Sequence, residues 1–152
     1  MSTTHNPAAP ASRSFLTTSP VWLVGVLAAL AGAVVTEVFG LIARALGVPM
    51  EAASPGATAA APIPPGGFAV SVLVWSVMGI VLAVALARWA KRPARTFVVT
   101  TIVLTVLSLL SPALAPYTAT STKIVLALSH LVAAAVVIPL LGVRLSHQQP
   151  KR

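Results

Sequence analysis

Four long apolar runs alternate along this chain with loops whose positive charge falls almost entirely on one side of the alternation. Cytoplasmic loops of membrane proteins keep Lys and Arg, whereas translocated loops lose them. If every run crosses a bilayer, only Arg44 and Lys123 lie on the outer side. The other eight basic residues share one compartment: Arg13, Arg88, Lys91, Arg92, Arg95, Arg144, Lys151 and Arg152. The pattern predicts a multi-pass plasma-membrane protein with both termini in the cytoplasm.

The composition excludes a soluble domain. Hydrophobic residues make up 57% of the chain and charged residues only 8%, and the mean hydropathy is +0.96. A net charge of +8 is typical of nucleic-acid binding in a soluble protein, but here the basic residues flank apolar runs and have a topological explanation. We therefore expect the lipid bilayer as a partner and no nucleic acid. The chain has no cysteine, so disulfides and thiolate chemistry are excluded.

The predicted fold is all-α, an integral membrane antiparallel four-helix bundle with a disordered N-terminal tail. Residues 1–19 form the tail, residues 20–144 the transmembrane domain, and residues 145–152 a short basic cytoplasmic tail. The spans are predicted at about 21–46, 68–89, 97–114 and 124–143. Repeated prolines and glycines in residues 47–67 predict a loop through which neither helix nor sheet can run.

A polar cluster is predicted in the leaflet nearer that loop. Glu37 is the one acidic residue within a span, and an ionisable group there needs a partner or a proton. Counted at about 1.5 Å per residue, Glu37 lies roughly 14 Å deep and His130 roughly 10 Å deep. Ser108 and Ser76 fall in the same layer. Two interpretations stay open, a buried contact that fixes helix packing and a proton-relay or substrate-binding site.

Small residues recur every four positions on the first span, at Ala28, Gly32, Thr36 and Gly40. Such a stripe lets another helix approach closely. It is predicted to pack against the fourth span of the same chain, and a homodimer is the alternative.

The basic turn between the second and third spans contains Arg88, Lys91, Arg92 and Arg95. Its first predicted role is to fix topology, and its second is to hold anionic lipid headgroups. Elsewhere no familiar catalytic motif occurs, and the sequence predicts no metal site, no cofactor and no enzymatic activity.

The segments LSLLSPAL at 107–114 and LSHLVAAAVVIPLL at 128–141, with the four-span layout and the Pro-rich first loop, carry a resemblance. The chain resembles a family of small actinobacterial four-pass membrane proteins with a domain of unknown function, over about Val21 to Val143. The resemblance implies that the histidine of the fourth span is a recurrent feature, but it implies no activity, substrate or cofactor.

Two functions follow from these expectations. The first is a non-enzymatic membrane protein that acts through helix packing or association, as a homo-oligomer or as part of a larger membrane complex. The alternative is a proton-linked carrier or channel component that uses Glu37 and His130. Neither interpretation identifies a small-molecule ligand.

Overall fold

The structure, a computed structural model, describes Leu16, residues 18–54 and residues 56–148. Most of the predicted N-terminal tail and the last four residues of the C-terminal tail lie outside these residues. The described elements are α1 (Val21–Ala45), β1 (Glu51–Ala52), β2 (Ala61–Pro62), α2 (Gly67–Trp89), α3 (Pro93–Ser108), α4 (Leu110–Leu114) and α5 (Thr120–Ser146).

Within the described residues, four helical segments are long and apolar enough to cross a membrane, with α3 and α4 together forming the third. Their mean hydropathies range from 2.2 to 2.6. Since backbone groups in lipid have no water to bond, spanning segments satisfy them within helices. The four segments indicate a membrane protein.

Helix α1 packs against α2 and α5, and α3 packs against the same two helices. One apolar cluster joins the start of α1, the end of α2, the start of α3 and the end of α5, while a second joins the opposite end of α1 to the starts of α2 and α5. Successive spans therefore run in opposite directions. The predicted antiparallel four-helix bundle is confirmed. We call the end that carries β1 and β2 the hairpin end and the end that carries Arg88 to Arg95 the basic end.

Helix α1 is the most enclosed element of the bundle. Ten of its 25 residues are buried, whereas α2 buries only Phe68 and Ala83. The small-residue stripe lies on the buried side of α1, and Ala28 and Thr36 are each 1% exposed. A Cβ on Gly32 would lie 3.0 Å from Val137 of α5 and 3.6 Å from Val72 of α2. The stripe is thus covered by helices of the same chain.

The loop between α1 and α2 differs from the prediction that no sheet forms there. Residues Glu51 and Ala52 pair antiparallel with Pro62 and Ala61, and the Ile63 N–H donates to the Met50 carbonyl over 2.7 Å. The prediction was wrong because proline lacks a donor but keeps an acceptor, so it is compatible with the edge of a two-stranded ladder.

The third and fourth spans are longer than predicted. Helix α3 begins at Pro93 instead of residue 97. Proline is favourable at the first helical position because the N–H that it lacks would have no partner within the helix there. Pro112 has no N–H to donate to the Ser108 carbonyl, and the helix is interrupted at Leu109, between α3 and α4. The fourth span extends from Thr120 to Ser146 instead of from about 124 to 143.

The predicted tail boundaries also need correction. Leu145 is fully buried and packs with Val21 and Val24, so helix and core continue beyond residue 144. Ser19 is also buried, and its carbonyl accepts a hydrogen bond from Arg144 Nε at 2.5 Å. The charge distribution predicts only a role in topology for Arg144. In the structure, its side chain also joins the first residues of the transmembrane domain to the last.

Replacing Gly40 with Ala tests the packing of α1. The new Cβ would lie 2.7 Å from Cδ2 of Phe68, whose side chain is buried, so the ring or the helix must shift. We expect the free energy of unfolding in detergent micelles to fall by about 1–3 kcal/mol, as measured by circular dichroism.

The matched control is Gly79→Ala on α2, where nothing lies within 4 Å of the new Cβ; both variants are measured in an excess of detergent that keeps the chain monomeric. Because alanine is the better helix former, this variant should be unchanged or more stable by about 0.5–1 kcal/mol. Equal effects of the two substitutions would contradict close packing at Gly40.

Candidate functional site

The carboxylate of Glu37 lies at the start of α2. Oε1 accepts a hydrogen bond from the Gly66 N–H at 2.7 Å, and Oε2 accepts one from the Ala69 N–H at 3.0 Å. Glu37 lies in the last third of α1 and is half-buried. Both carboxylate oxygens therefore have a backbone donor on the neighbouring helix.

The sequence around Gly66 explains why α2 needs an acceptor from elsewhere. Gly66 is the N-cap residue, with φ of 88° and no side chain to accept from the first turn. In ordinary capping, a Ser, Thr or Asp side chain accepts from the third helical residue, here Ala69. Glu37 replaces that side chain from α1 and also accepts from the N-cap N–H, which a capping-box Glu normally does.

The N-terminus of α2 is an electrostatically favourable place for a carboxylate. A helix N-terminus carries about half a positive charge, and hydrogen bonds to an ionised acceptor are stronger than those between neutral groups. Helix α2 has no acidic residue in its first turn, so Glu37 is the anion that complements this terminus.

Arg44 binds the segment just before the start of α2. Its Nη2 donates to the Ile63 carbonyl at 2.6 Å, and Glu37 precedes it by seven residues, about two helical turns. Gly40 lies between Glu37 and Arg44 on α1, and the ring of Phe68 packs against it. We call Glu37 and Arg44 the helix clamp.

His130 has a different set of neighbours. Its Nδ1 lies 2.7 Å from the Leu126 carbonyl of its own helix, and since a carbonyl only accepts, Nδ1 carries the proton. Nε2 is then an acceptor in the neutral ring. The ring lines a cavity of about 220 Å³ at the hairpin end together with Ala52, Ala53, Ser54, Ser111, Pro112, Ala115 and Leu126.

Two further hydrogen bonds tie the loop that covers this cavity to the start of α5 and to the turn before it. Thr118 Oγ1 accepts from the Ala53 N–H at 3.1 Å, and the Thr122 hydroxyl donates to the Pro49 carbonyl. The hairpin is thereby fixed over the end of α5.

The predicted polar cluster is not joined by hydrogen bonds. No hydrogen bond or ion pair connects Glu37 and His130, both of which lie in the described part of the chain. Ser108 donates to the Thr105 carbonyl of its own helix at 2.7 Å, and Ser76 on α2 is half-buried. The depth estimate placed these residues in one layer but could not give their directions around the helix axes.

Sequence reasoning missed the partner of Glu37 because that partner is backbone. A search for ionisable neighbours does not reveal two main-chain N–H groups at Gly66 and Ala69. The available signal was the sequence Pro-Pro-Gly-Gly immediately before the second span, which starts a helix without any capping side chain.

The four basic residues of the turn lie at the opposite end of the bundle. Arg88, Lys91, Arg92 and Arg95 are all exposed. Arg92 and Arg95 line a surface groove with Thr96, Val99 and Thr100. Among the residues that the structure describes, no group of three or more His, Cys, Asp and Glu side chains is placed to hold a metal ion.

Glu37→Gln should destabilise the protein without unfolding it. The amide carbonyl can still accept one N–H, but the amide NH₂ faces the second donor and the negative charge is lost. We expect the free energy of unfolding to fall by about 1.5–3 kcal/mol, the range for hydrogen bonds to charged groups.

The matched control is Glu51→Gln, because the chain has only two acidic residues and Glu51 is exposed. Its effect should stay within about 0.5 kcal/mol. If thermal unfolding in nanodiscs gave the same shift for both variants, the clamp would contribute nothing measurable.

Comparison with known proteins gives a family and no activity. The chain matches the model of a family of unknown function, DUF6069, over residues 16–147. Neither a curated protein nor a solved structure matches it. The matched range contains all of the described helices and the helix clamp. The chain therefore belongs to DUF6069, a family of unknown function.

Proposed function

We propose that this protein is a small multi-pass protein of the plasma membrane that has no enzymatic activity and acts by association, as a homo-oligomer or as a subunit of a larger membrane complex. The observation that carries the proposal is the use of Glu37. The one carboxylate within a span accepts two backbone hydrogen bonds, so the polar group best suited to chemistry stabilises the fold instead.

Other polar side chains within the spans have similar local roles. Thr101 and Thr105 donate to carbonyls four residues earlier in α3, at 2.7 and 2.8 Å, and Ser129 donates to the Leu126 carbonyl in α5. Such bonds satisfy hydroxyls in an apolar medium without forming a site. They support a structural bundle rather than a catalytic one.

The surface proposed for association is the outer side of α2. This helix exposes Trp75 and Met78, and the position of a Cβ on Gly79 has nothing within 4 Å. Because lipid tails are as apolar as side chains, helices associate in membranes where small residues allow close approach. The stripe on α1 is already covered within the chain, so a partner needs another face.

Gly79→Leu should weaken self-association. Leucine would fill the space into which a second helix packs, and the native oligomer should shift to monomer when subunits are counted by photobleaching in nanodiscs. The matched control, Ala31→Leu, adds similar bulk to an exposed position on α1 and should leave the count unchanged. A native chain that is monomeric at every protein-to-lipid ratio would contradict the homo-oligomer.

The proposed orientation places the basic end in the cytoplasm, as the distribution of Lys and Arg favours. Trp22 and Trp89 are 56% and 77% exposed at this end, where tryptophan belongs in an interfacial belt. The alanine- and valine-rich composition is compatible with an actinobacterial source.

Reporter fusions test the orientation. A reporter that is active only outside the cytoplasm should give signal when inserted within residues 47–67 and none when fused after Arg152. The reverse pattern would contradict it, and a cytoplasm-active reporter at the same two sites is the control for expression.

The alternative is a proton-linked carrier or channel component. Its support is the cavity beside His130, whose Nε2 is free to accept a proton in the neutral ring. The lining of that cavity includes His130 and not Glu37, so His130 is the residue on which this alternative is tested. Proton flux in liposomes that disappears in His130→Ala would favour this alternative over association.

A further inference from the structure

The basic end carries a groove whose residues lie along one face of α3. Its lining begins with Arg92 and Arg95 and continues with Thr96, Val99 and Thr100 towards the middle of the bundle. The spacing of three, four, seven and eight residues after Arg92 keeps them on one side of the helix. From Arg92 to Thr100 the face extends about 12 Å, and the groove has a volume of about 420 Å³.

The charges at this groove have no partner in the protein. Both acidic residues of the chain, Glu37 and Glu51, lie at the hairpin end, so no acidic side chain neutralises Arg92 or Arg95. Within the described residues, neither arginine side chain makes a hydrogen bond or an ion pair. Two guanidinium groups therefore face the surroundings with their full donor capacity.

The threonines of α3 differ according to the face on which they lie. The hydroxyls of Thr101 and Thr105 donate to carbonyls of their own helix, whereas the hydroxyls of Thr96 and Thr100 in the groove make no hydrogen bond among the described residues. Thr100 lies well inside the span, where an unused hydroxyl is costly. The groove face thus offers free hydroxyl donors below free guanidinium groups.

The N-terminus of α3 adds a weaker positive charge beside the two arginines. It begins without a side-chain cap and without an acidic residue in its first turn, so its positive terminal dipole is also uncompensated beside Arg92. The two guanidinium groups and the start of α3 therefore favour an anion at the groove.

We propose that this groove binds the headgroup of an anionic phospholipid, with the phosphate between Arg92 and Arg95, the glycerol-ester region at Thr96 and Thr100, and an acyl chain over Val99. Arginine suits this role because its planar donors match a phosphate bidentately. A lipid fits better than a soluble anion because the groove continues onto the apolar outer side of α3, where Ile102 and Val103 are about half exposed.

The exposed Trp89 ring lies a few residues before Arg92 and is suited to the level of the headgroups. The proposed phosphate position is therefore at the depth where lipid phosphates occur.

The test compares two double variants that remove the same charge from the same turn. Arg92→Gln with Arg95→Gln removes the groove pair, and Arg88→Gln with Lys91→Gln removes two basic residues outside it. The purified chain in neutral detergent is titrated with phosphatidylglycerol and with phosphatidylcholine, and bound lipid is counted by native mass spectrometry. Circular dichroism and thermal unfolding without added lipid check that both variants are folded.

We expect the native chain to retain phosphatidylglycerol in preference to phosphatidylcholine. A direct hydrogen bond to a charged group is worth roughly tenfold or more in affinity, so the groove variant, which loses both arginines that contact the phosphate, should bind phosphatidylglycerol about 100-fold more weakly. The control variant should keep more than half of the native binding. Thr96→Val with Thr100→Val, which preserves all charge, should cause a smaller loss.

Three results would overturn the proposal. Equal binding of the two lipids by the native chain would show no headgroup recognition. Equal losses in the two double variants would assign the effect to diffuse charge rather than to the groove. Displacement of bound lipid by millimolar inorganic phosphate would show that the groove recognises a soluble anion.

Discussion

The contact on which the hairpin end depends is the one between the Glu37 carboxylate and the N-terminus of α2. A charged group within a membrane span costs at least a few kcal/mol unless it is paired, and a helix terminus at membrane depth leaves N–H groups that also need partners. The N–H groups of Gly66 and Ala69 donate to the Glu37 carboxylate. One contact therefore provides a partner for the charged group and for the helix terminus. Arg44 extends the same contact to the Ile63 carbonyl.

This contact explains the central position of α1. Its small-residue stripe lets α2 and α5 approach closely, and the clamp on the same helix fixes where α2 begins relative to it. Helix packing in lipid lacks the hydrophobic drive available in water, and individual polar contacts contribute only about 0.6 kcal/mol on average. A carboxylate that accepts from two N–H groups at a helix terminus combines a charge with a dipole and exceeds that average.

The sequence predicts the bundle well because length and hydropathy dominate the behaviour of a chain in lipid. The four spans and their antiparallel order follow from the apolar runs. The importance of Glu37 follows from its being the one acidic residue within a span. The hairpin, the early start at Pro93 and the role of Arg144 do not follow, since each depends on a main-chain group brought near by the fold. The pairing of Glu37 with His130 rested on depth alone. Depth is one coordinate of three, and the other two are set by helix rotation and packing.

The most direct test of this account is the amide spectrum of Gly66 and Ala69 in the isotopically labelled protein in nanodiscs. Hydrogen bonds from these N–H groups to a carboxylate should slow their exchange with solvent and move both amide protons downfield. In Glu37→Gln both resonances should move back and exchange faster, while the ring signals of His130 stay in place. If the two amides were unaffected by the substitution and the His130 ring responded instead, Glu37 would be paired with the histidine, and the helix clamp would be wrong.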